Sequence, residues 1–275
     1  MLKKIILTIL LINVLSSIFA FDIPKNSRID KWIGEYTNSR RHHYQLSINR
    51  SGLYRPIIIR VFKNAGIPEE LSWLPFIESG FRCGAESTAK AAGCWQFIPR
   101  TGKYFGLGKD NWTDQRFDFN RSTIAASKYL KELYETFHDW ELVLAAYNCG
   151  PGKVNYQIKK KGKDFWKLDL PDQTEEYVPK FYAVLSISRD LKKYGFISPK
   201  NELISVELRK GSHNLRYIAT KILGVEYDDF IMINPGFDIN HTPPGISSTI
   251  YIMKDWNISL LRGFGLLKKS ALAIN

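Results

Sequence analysis

The stretch PEELSWLPFIESGFRCGAESTAKAAGCWQFIP, residues 68–99, decides the fold of this chain. It places one glutamate, Glu78, near the end of an apolar helix. Pro68 suits a first helical position and Gly80 suits the position just past a helix end. Pro75 lies inside the segment and removes one backbone hydrogen bond, which predicts a kink. The pattern therefore predicts a kinked helix with Glu78 in its last turn.

The surroundings of Glu78 indicate a carboxyl group with a raised pKa. Its apolar neighbours Ile77 and Phe81 would partly desolvate it, and the carbonyl end of the helix disfavours a negative charge. A carboxyl that stays protonated near neutral pH can donate a proton to a leaving oxygen, as a general acid must. Taken alone, the stretch favours a solvated glutamate at a helix end over a catalytic acid.

The N-terminus has the pattern of an export signal. Lys3 and Lys4 precede an uncharged apolar run that ends at Ala20. We expect residues 1–20 to be a signal peptide cleaved after Ala20, so that the protein is exported to the periplasm or cell envelope. An uncleaved segment would instead associate the protein with the membrane.

Composition restricts the class of protein and of partner. With 275 residues, 44% of them hydrophobic, the chain is long enough for one larger domain and a small one. A formal net charge of +12 suits an anionic partner, although a Lys/Ile/Asn-rich composition would also produce it. The export signal and the lack of a recognisable binding motif argue against nucleic acid.

The three cysteines match no zinc-binding pattern, and no ligand cluster suggests a metal or an organic cofactor. Either Cys83 and Cys94 form a disulfide and leave Cys149 free, or all three are small buried thiols. Asp114 and Arg116 alternate as in a structural ion-pair turn.

The order of elements predicts two parts. Amphipathic helices dominate residues 21–200, and their apolar faces in residues 21–65 are interpreted as core. Residues 201–255 alternate as strand, helix, helix and strand, which predicts a small separate module. Residues 256–275 are interpreted as a C-terminal tail without a clear role.

Three further motifs follow Glu78-Ser79 in a fixed order. They are AGCWQFIP at 92–99, AAYNCGPG at 145–152 and EYVPK at 176–180. Each alone is modest, since Asn followed by Gly is ordinary helix-end chemistry. Together they resemble the soluble lytic transglycosylase family over residues 29–199.

That resemblance implies a mainly α, goose-lysozyme-like catalytic domain in which Glu78 is the catalytic residue. It also implies a set of substrate-binding residues: Ser79, Ser87, Trp95, Gln96, Tyr147, Asn148 and Tyr177. Cys94 and Cys149 depart from the usual family pattern. The β-α-α-β module resembles a divergent LysM segment, although the usual Gly-Asp-Thr-Leu entry reads Gly-Ser-His-Asn at residues 211–214.

The implied activity is cleavage of the β-1,4 bond between N-acetylmuramic acid and N-acetylglucosamine in peptidoglycan strands, leaving a 1,6-anhydromuramic acid end. Such a protein needs no cofactor and is expected to act as a monomer. One alternative is a hydrolytic muramidase of the same fold, for which Glu86 would be the second carboxylate. The other is a wall-binding protein without catalytic activity.

Overall fold

The computed structural model describes residues 21–199, 203–237, 240–256 and 258–267, so the proposed signal segment lies outside the described residues. The predicted mainly α class is confirmed, and the first 180 or so described residues are helical or loop. The α-helices of this larger body are α1 (Ser27–Thr37), α2 (Arg41–Ala65), α3 (Leu74–Ser79), α4 (Pro99–Tyr104), α5 (Phe119–Phe137), α6 (Trp140–Cys149), α7 (Pro151–Lys161) and α8 (Asp172–Arg189).

The predicted kink at Pro75 takes the form of a change of helix type. A 3₁₀ turn, Glu69–Trp73, runs directly into α3, and Pro75 lies in the first turn of α3, where no backbone N–H is required. Gly80 then ends α3 in the left-handed conformation with φ of 61°. Glu78 therefore occupies the last turn of a helix of only six residues.

Helix α6 forms the centre of the helical body. Residues 142–146 are completely buried, and α6 contacts α5, α7 and α8. Because α6 ends at Cys149, its last turn emerges from the core and carries Tyr147 and Asn148 to the surface of a cleft. The core thus fixes the direction of two predicted site residues.

The second part of the chain forms a small module around an antiparallel pair, β1 (Leu203–Leu208) and β2 (Ser248–Met253), with Leu203 opposite Met253. Between the strands lie α9 (Leu215–Tyr217), a π-helical turn (Ile218–Leu223) and α10 (Tyr227–Ile233). This order agrees with the predicted strand-helix-helix-strand pattern. Its likeness to LysM stays a resemblance.

The boundary that the sequence analysis drew at residue 256 is wrong. Helix α11 (Ile258–Gly263) places Leu261 in the core of the module, and Leu267 bridges to Leu208 beside β1. Leu261 is fully buried. Residues 258–267 therefore belong to the module, because its two strands and short helices need this additional apolar cover.

The module is joined to the helical body through Tyr251 of β2. This side chain is only 4% exposed and packs among residues of the larger core. The Asn120 N–H, in the first turn of α5, donates a hydrogen bond to the Tyr251 hydroxyl oxygen at 2.8 Å. Asn234 holds the backbone of Tyr251 from the other side with two hydrogen bonds.

None of the helices in the described part of the chain combines the length and the apolar character needed to cross a bilayer.

Candidate active site

A cleft of about 870 Å³ opens on the helical body between α1, α3, α5, α6, α8 and the loop before α4. Six of the eight predicted site residues line it: Glu78, Ser87, Gln96, Tyr147, Asn148 and Tyr177. They come from four separate segments of the chain, so the fold brings together groups that are up to 99 residues apart.

Glu78 lies at the base of the cleft, where the Tyr177 hydroxyl donates a hydrogen bond to its Oε1 atom. Burial raises the pKa of Glu78 from its ordinary value of 4.5 to about 7, and the hydrogen bond from Tyr177 opposes part of that rise. Burial and the neighbouring Glu78 charge raise the pKa of Tyr177 well above its ordinary value. The phenol therefore remains a hydrogen-bond donor, and the carboxyl group titrates near neutral pH.

The loop between α3 and α4 is closed by a disulfide between Cys83 and Cys94. Of the two alternatives left by the sequence, the bridge is the one present, and Cys149 is free. Gly93, at φ of +82°, lies so close to the Arg116 carbonyl that a side chain would collide with it. The bridge and this close approach fix the course of the loop.

Arg116 supports the same loop from behind. Its guanidinium pairs with the buried Asp114 carboxylate at 2.7 Å and donates to the Phe97 carbonyl at 3.1 Å. The predicted structural role of this ion pair is confirmed, since both side chains are buried and hold backbone rather than facing the cleft.

Two polar side chains of the loop face the cleft. The Ala91 N–H donates to Ser87 Oγ at 3.0 Å, so the hydroxyl hydrogen of Ser87 can be donated into the cleft. Gln96 Nε2 donates to the Gly93 and Ala85 carbonyls at 2.9 and 3.2 Å, which leaves Oε1 as an acceptor. Gln96 itself has a left-handed φ of 50°, a conformation held by these bonds.

The end of α6 also lines the cleft. The Tyr147 hydroxyl donates to the Trp95 carbonyl at 2.8 Å, and the Thr174 hydroxyl donates to Asn148 Oδ1 at 2.7 Å. Asn148 therefore keeps its amide nitrogen free to donate to a bound molecule. Burial and the nearby Glu78 charge raise the pKa of Tyr147 well above its ordinary value, so this phenol also stays protonated.

Two predicted substrate-binding residues, Trp95 and Ser79, do not line the cleft. Trp95 is completely buried, packs 5.7 Å from Phe62 and donates its indole N–H to Thr123 Oγ1 at 3.0 Å. Ser79 is 5% exposed and donates to the Cys94 carbonyl at 3.0 Å. In contrast to the prediction, neither side chain lines the cleft: Ser79 holds the loop to α3, and Trp95 anchors it between α2 and α5.

A comparison with protein-family models matches residues 56–168 to the Transglycosylase SLT domain. Residues 56–168 are therefore similar to that domain. Five of the six cleft residues named above fall inside the match, while Tyr177 comes from α8, after its end. Glu78 and its hydrogen-bond partner Tyr177 therefore lie on opposite sides of the end of the match at residue 168.

Among curated proteins, the chain is 38% identical over 186 residues to membrane-bound lytic murein transglycosylase D of Escherichia coli K12. The match covers 66% of this chain and 41% of that protein, so the chain spans about two fifths of its relative.

Among solved structures, the chain is similar to an inactive mutant of the lytic transglycosylase Slt of Pseudomonas aeruginosa, with 23% sequence identity and a TM-score of 0.41. The similarity covers 53% of this chain and 25% of the Slt chain. The 70 kDa soluble lytic transglycosylase of Escherichia coli gives 22% identity and a TM-score of 0.43, with 52% and 25% covered.

The cleft also contains residues that no sequence motif assigned to a site. Trp32, Tyr36 and Arg40 line it, although residues 21–65 were interpreted entirely as core. Tyr129 of α5 and Lys180 of α8 line it as well. The aromatic residues among them recur at the same helical spacing as core residues. The sequence pattern therefore cannot separate them from the core, whereas their position at the cleft does.

Among the described residues, Glu78 is the one carboxylate that lines the cleft. Glu86, the candidate second carboxylate, instead forms an ion pair with Lys90 at 3.1 Å on the outside of the loop. Within the same described ranges, no group of three or more His, Cys, Asp or Glu side chains is arranged to hold a metal ion.

Proposed function

We propose that this protein is a lytic transglycosylase that cleaves the β-1,4 bond between N-acetylmuramic acid and N-acetylglucosamine in peptidoglycan. The observation that carries the proposal is Glu78, the one carboxyl in the described cleft lining, with a pKa of about 7 and one oxygen held by Tyr177. A group with this pKa can both donate and accept a proton near neutral pH. Glu78 lies within the residues that match the Transglycosylase SLT domain, and this match supports transglycosylation as the type of reaction.

In the first step, protonated Glu78 donates its proton to the glycosidic oxygen as the bond to the anomeric carbon breaks. Tyr177 occupies Oε1 as a donor, which leaves Oε2 to carry the acidic proton. The positive charge that develops at the anomeric carbon is met by the N-acetyl group of the substrate itself. This removes the need for a second protein carboxylate.

In the second step, the ionised Glu78 accepts the proton of the C6 hydroxyl of the muramic acid, and that oxygen forms a bond to the anomeric carbon. The proton donated in the first step is thereby recovered, and a 1,6-anhydro sugar is released. No water enters the bond. The hydrogen bond from Tyr177 stabilises the carboxylate between the two steps.

The remaining cleft groups would bind the sugars. Ser87 and Asn148 offer donors, and Gln96 offers an amide oxygen as acceptor. Rings of Tyr129 and Tyr147, 5.2 Å apart, provide apolar surface for the faces of sugar rings. The protein needs no metal or organic cofactor for this chemistry.

The proposed site of action is the cell envelope. The matched relative is a membrane-bound enzyme of murein, and residues 1–20 read as an export signal. We propose a monomer that acts on glycan strands through residues 21–200, with the LysM-like module after it.

The test is the mass analysis of products released from purified sacculi by the parent protein, Glu78→Gln and Glu86→Gln. The parent and Glu86→Gln should release muropeptides with anhydro ends, each lighter by one water than a reducing-end product. Glu78→Gln should release at least 1,000-fold less, because its amide neither donates nor accepts the proton.

Three outcomes would contradict the proposal in different ways. Reducing-end products from the parent would identify a hydrolase. Loss of activity in Glu86→Gln would indicate a second catalytic carboxylate. Sacculus binding without cleavage by the folded parent would indicate a wall-binding protein.

A further inference from the structure

The wall of the cleft formed by α1 and α8 is cationic and centres on Trp32. The Lys180 ammonium lies 4.4 Å from the centroid of the Trp32 ring, and the Arg40 guanidinium lies 5.5 Å from it. Both cations also line the cleft, whereas Glu78 is the one carboxylate among the described residues that does so. When Glu78 is protonated, the described cleft lining carries a net positive charge.

The two cations are held in place by their surroundings. The indole N–H of Trp32 donates to the Glu176 carboxylate, which fixes the orientation of the ring. That carboxylate also pairs with Lys31 at 3.9 Å, and Arg40 pairs with Glu35 at 3.6 Å. Within the described ranges, no carboxylate forms an ion pair with Lys180. Lys180 is half-buried; the Glu176 charge acts on it, although the two groups are not within ion-pair distance.

The position of Lys180 relates it to the proposed acid. Lys180 follows Tyr177 by three residues on α8, so both side chains lie on the same face of the helix. The rise between them is about 4.5 Å along the helix axis. Since Tyr177 contacts Glu78 and all three side chains line the cleft, the ammonium group and the proposed acid face the same binding space.

We propose that Lys180 and Arg40 form a carboxylate-binding subsite, which recognises the anionic substituent on the muramic acid next to the cleaved bond. This inference rests on the proposed function. It specifies which chemical group of the substrate the cleft wall around Trp32 recognises. The carboxylate has two sources: the lactyl group of a peptide-free muramic acid, or the peptide attached to that lactyl group. The peptide is joined to the lactyl carboxyl through an amide bond. A given muramic acid therefore presents either the lactyl carboxylate or the carboxylates of its peptide.

The experiment measures kcat and KM for anhydro-product release from soluble glycan strands of four kinds. Peptide-bearing strands and strands stripped of peptide by an amidase are each used untreated and after their carboxylates are coupled to methylamine. Coupling neutralises the charge and leaves the glycan chain intact. The variants are Lys180→Met, Arg40→Gln and Lys180→Arg, with Lys131→Met as a control of equal charge change on the exposed face of α5.

For the parent, neutralisation should raise KM about tenfold on the strands that supply the carboxylate, as expected for a lost charge-assisted contact. Lys180→Met should show that higher KM on untreated strands and no further rise on neutralised ones, with kcat changed little. Met retains the aliphatic stem that packs on Trp32, so folding is preserved. Lys180→Arg should keep most of the preference, and Lys131→Met should match the parent.

The inference is overturned if neutralisation raises KM equally in the parent and in Lys180→Met, or in neither. The strand type that responds identifies the source of the carboxylate. If the parent releases no anhydro product, the proposed function fails, and the subsite is then tested by calorimetric binding of the same four strands to Glu78→Gln and Glu78→Gln/Lys180→Met. Equal affinities in that series would reject the subsite independently of catalysis.

Discussion

The Tyr177 hydroxyl donates a hydrogen bond to the Glu78 carboxyl from a helix that begins almost a hundred residues further along the chain. Glu78 stands at the end of a six-residue helix, and Tyr177 stands in the second turn of α8 with its side chain buried. The pair therefore depends on the docking of α8 against α3, which the core around α6 secures. This contact therefore couples the ionisation of Glu78 to the packing of α8 against α3.

The first prediction concerns the pH dependence of cleavage. Because the acid must be protonated, kcat/KM of the parent should fall as pH rises through about 7, the pKa of Glu78. The hydrogen bond from Tyr177 lowers that pKa, so Tyr177→Phe should move the falling limb to higher pH, even where its maximal rate is reduced. A pH–rate profile on soluble strands measures this. A limb that moves to lower pH in Tyr177→Phe would contradict the assigned direction of the hydrogen bond.

The second prediction concerns stability. In the folded protein the pKa of Glu78 is raised from 4.5 to about 7, so the unfolded chain ionises first as pH rises, and stability is lost between these two values. Glu78→Gln removes this loss. The variant should exceed the parent by at most about 3 kcal/mol above pH 7 and by little below pH 4.5. Urea unfolding at pH 4.5, 6 and 8 tests it, with Glu86→Gln as a control expected to show no such pH-dependent gain.

Much of this arrangement follows from the sequence for identifiable reasons. Gly80 ends α3 in the left-handed conformation, and Glu78 lies in the predicted last turn. The alternating apolar residues from Leu203 form the predicted strand, β1. The motif that begins at Ala145 forms the end of a helix, α6, as expected. These signals are local, because turn chemistry and side-chain periodicity act over a few residues.

The rest depends on packing between distant segments. Trp95 adjoins Gln96 in sequence, yet the left-handed turn at Gln96 sends one side chain into the core and the other towards the cleft. Trp32 has the periodicity of a core residue and lies at the edge where the core meets the cleft. No local pattern distinguishes these cases, because they are decided by which helix covers which face.

The third prediction concerns the disulfide. Cys83 and Cys94 are 11 residues apart, and closing a loop of this length contributes about 3 kcal/mol to the free energy of unfolding. The Cys83→Ala/Cys94→Ala variant should lose roughly that amount. It should also lose cleavage activity, because the loop carries Ser87 and leads into Gln96. Thermal unfolding with and without a thiol reductant measures the stability.

The matched control is the reductant itself. It should lower the Tm of the parent towards that of the double variant and leave the double variant unchanged. A parent insensitive to full reduction, verified by thiol counting, would mean that Arg116 and Gly93 hold the loop without the bridge.

The last prediction concerns the contact between the module and the helical body. Tyr251→Phe removes the hydroxyl that accepts a part-buried hydrogen bond from the Asn120 N–H. The expected cost is about 1–2 kcal/mol in the free energy of unfolding. Cleavage should stay close to the parental rate, since Tyr251 does not line the cleft.

Tyr217→Phe is the control for this substitution, because Tyr217 lies on the module with half of its surface exposed, and no stability change is expected. Hydrogen exchange at Asn120 gives a local readout: protection should fall in Tyr251→Phe and not in Tyr217→Phe. Unchanged protection and stability in Tyr251→Phe would mean that the hydroxyl does not bind α5 in solution. The start of α5 would then be held by its Asp118 cap, which accepts from the Arg121 N–H at 2.9 Å.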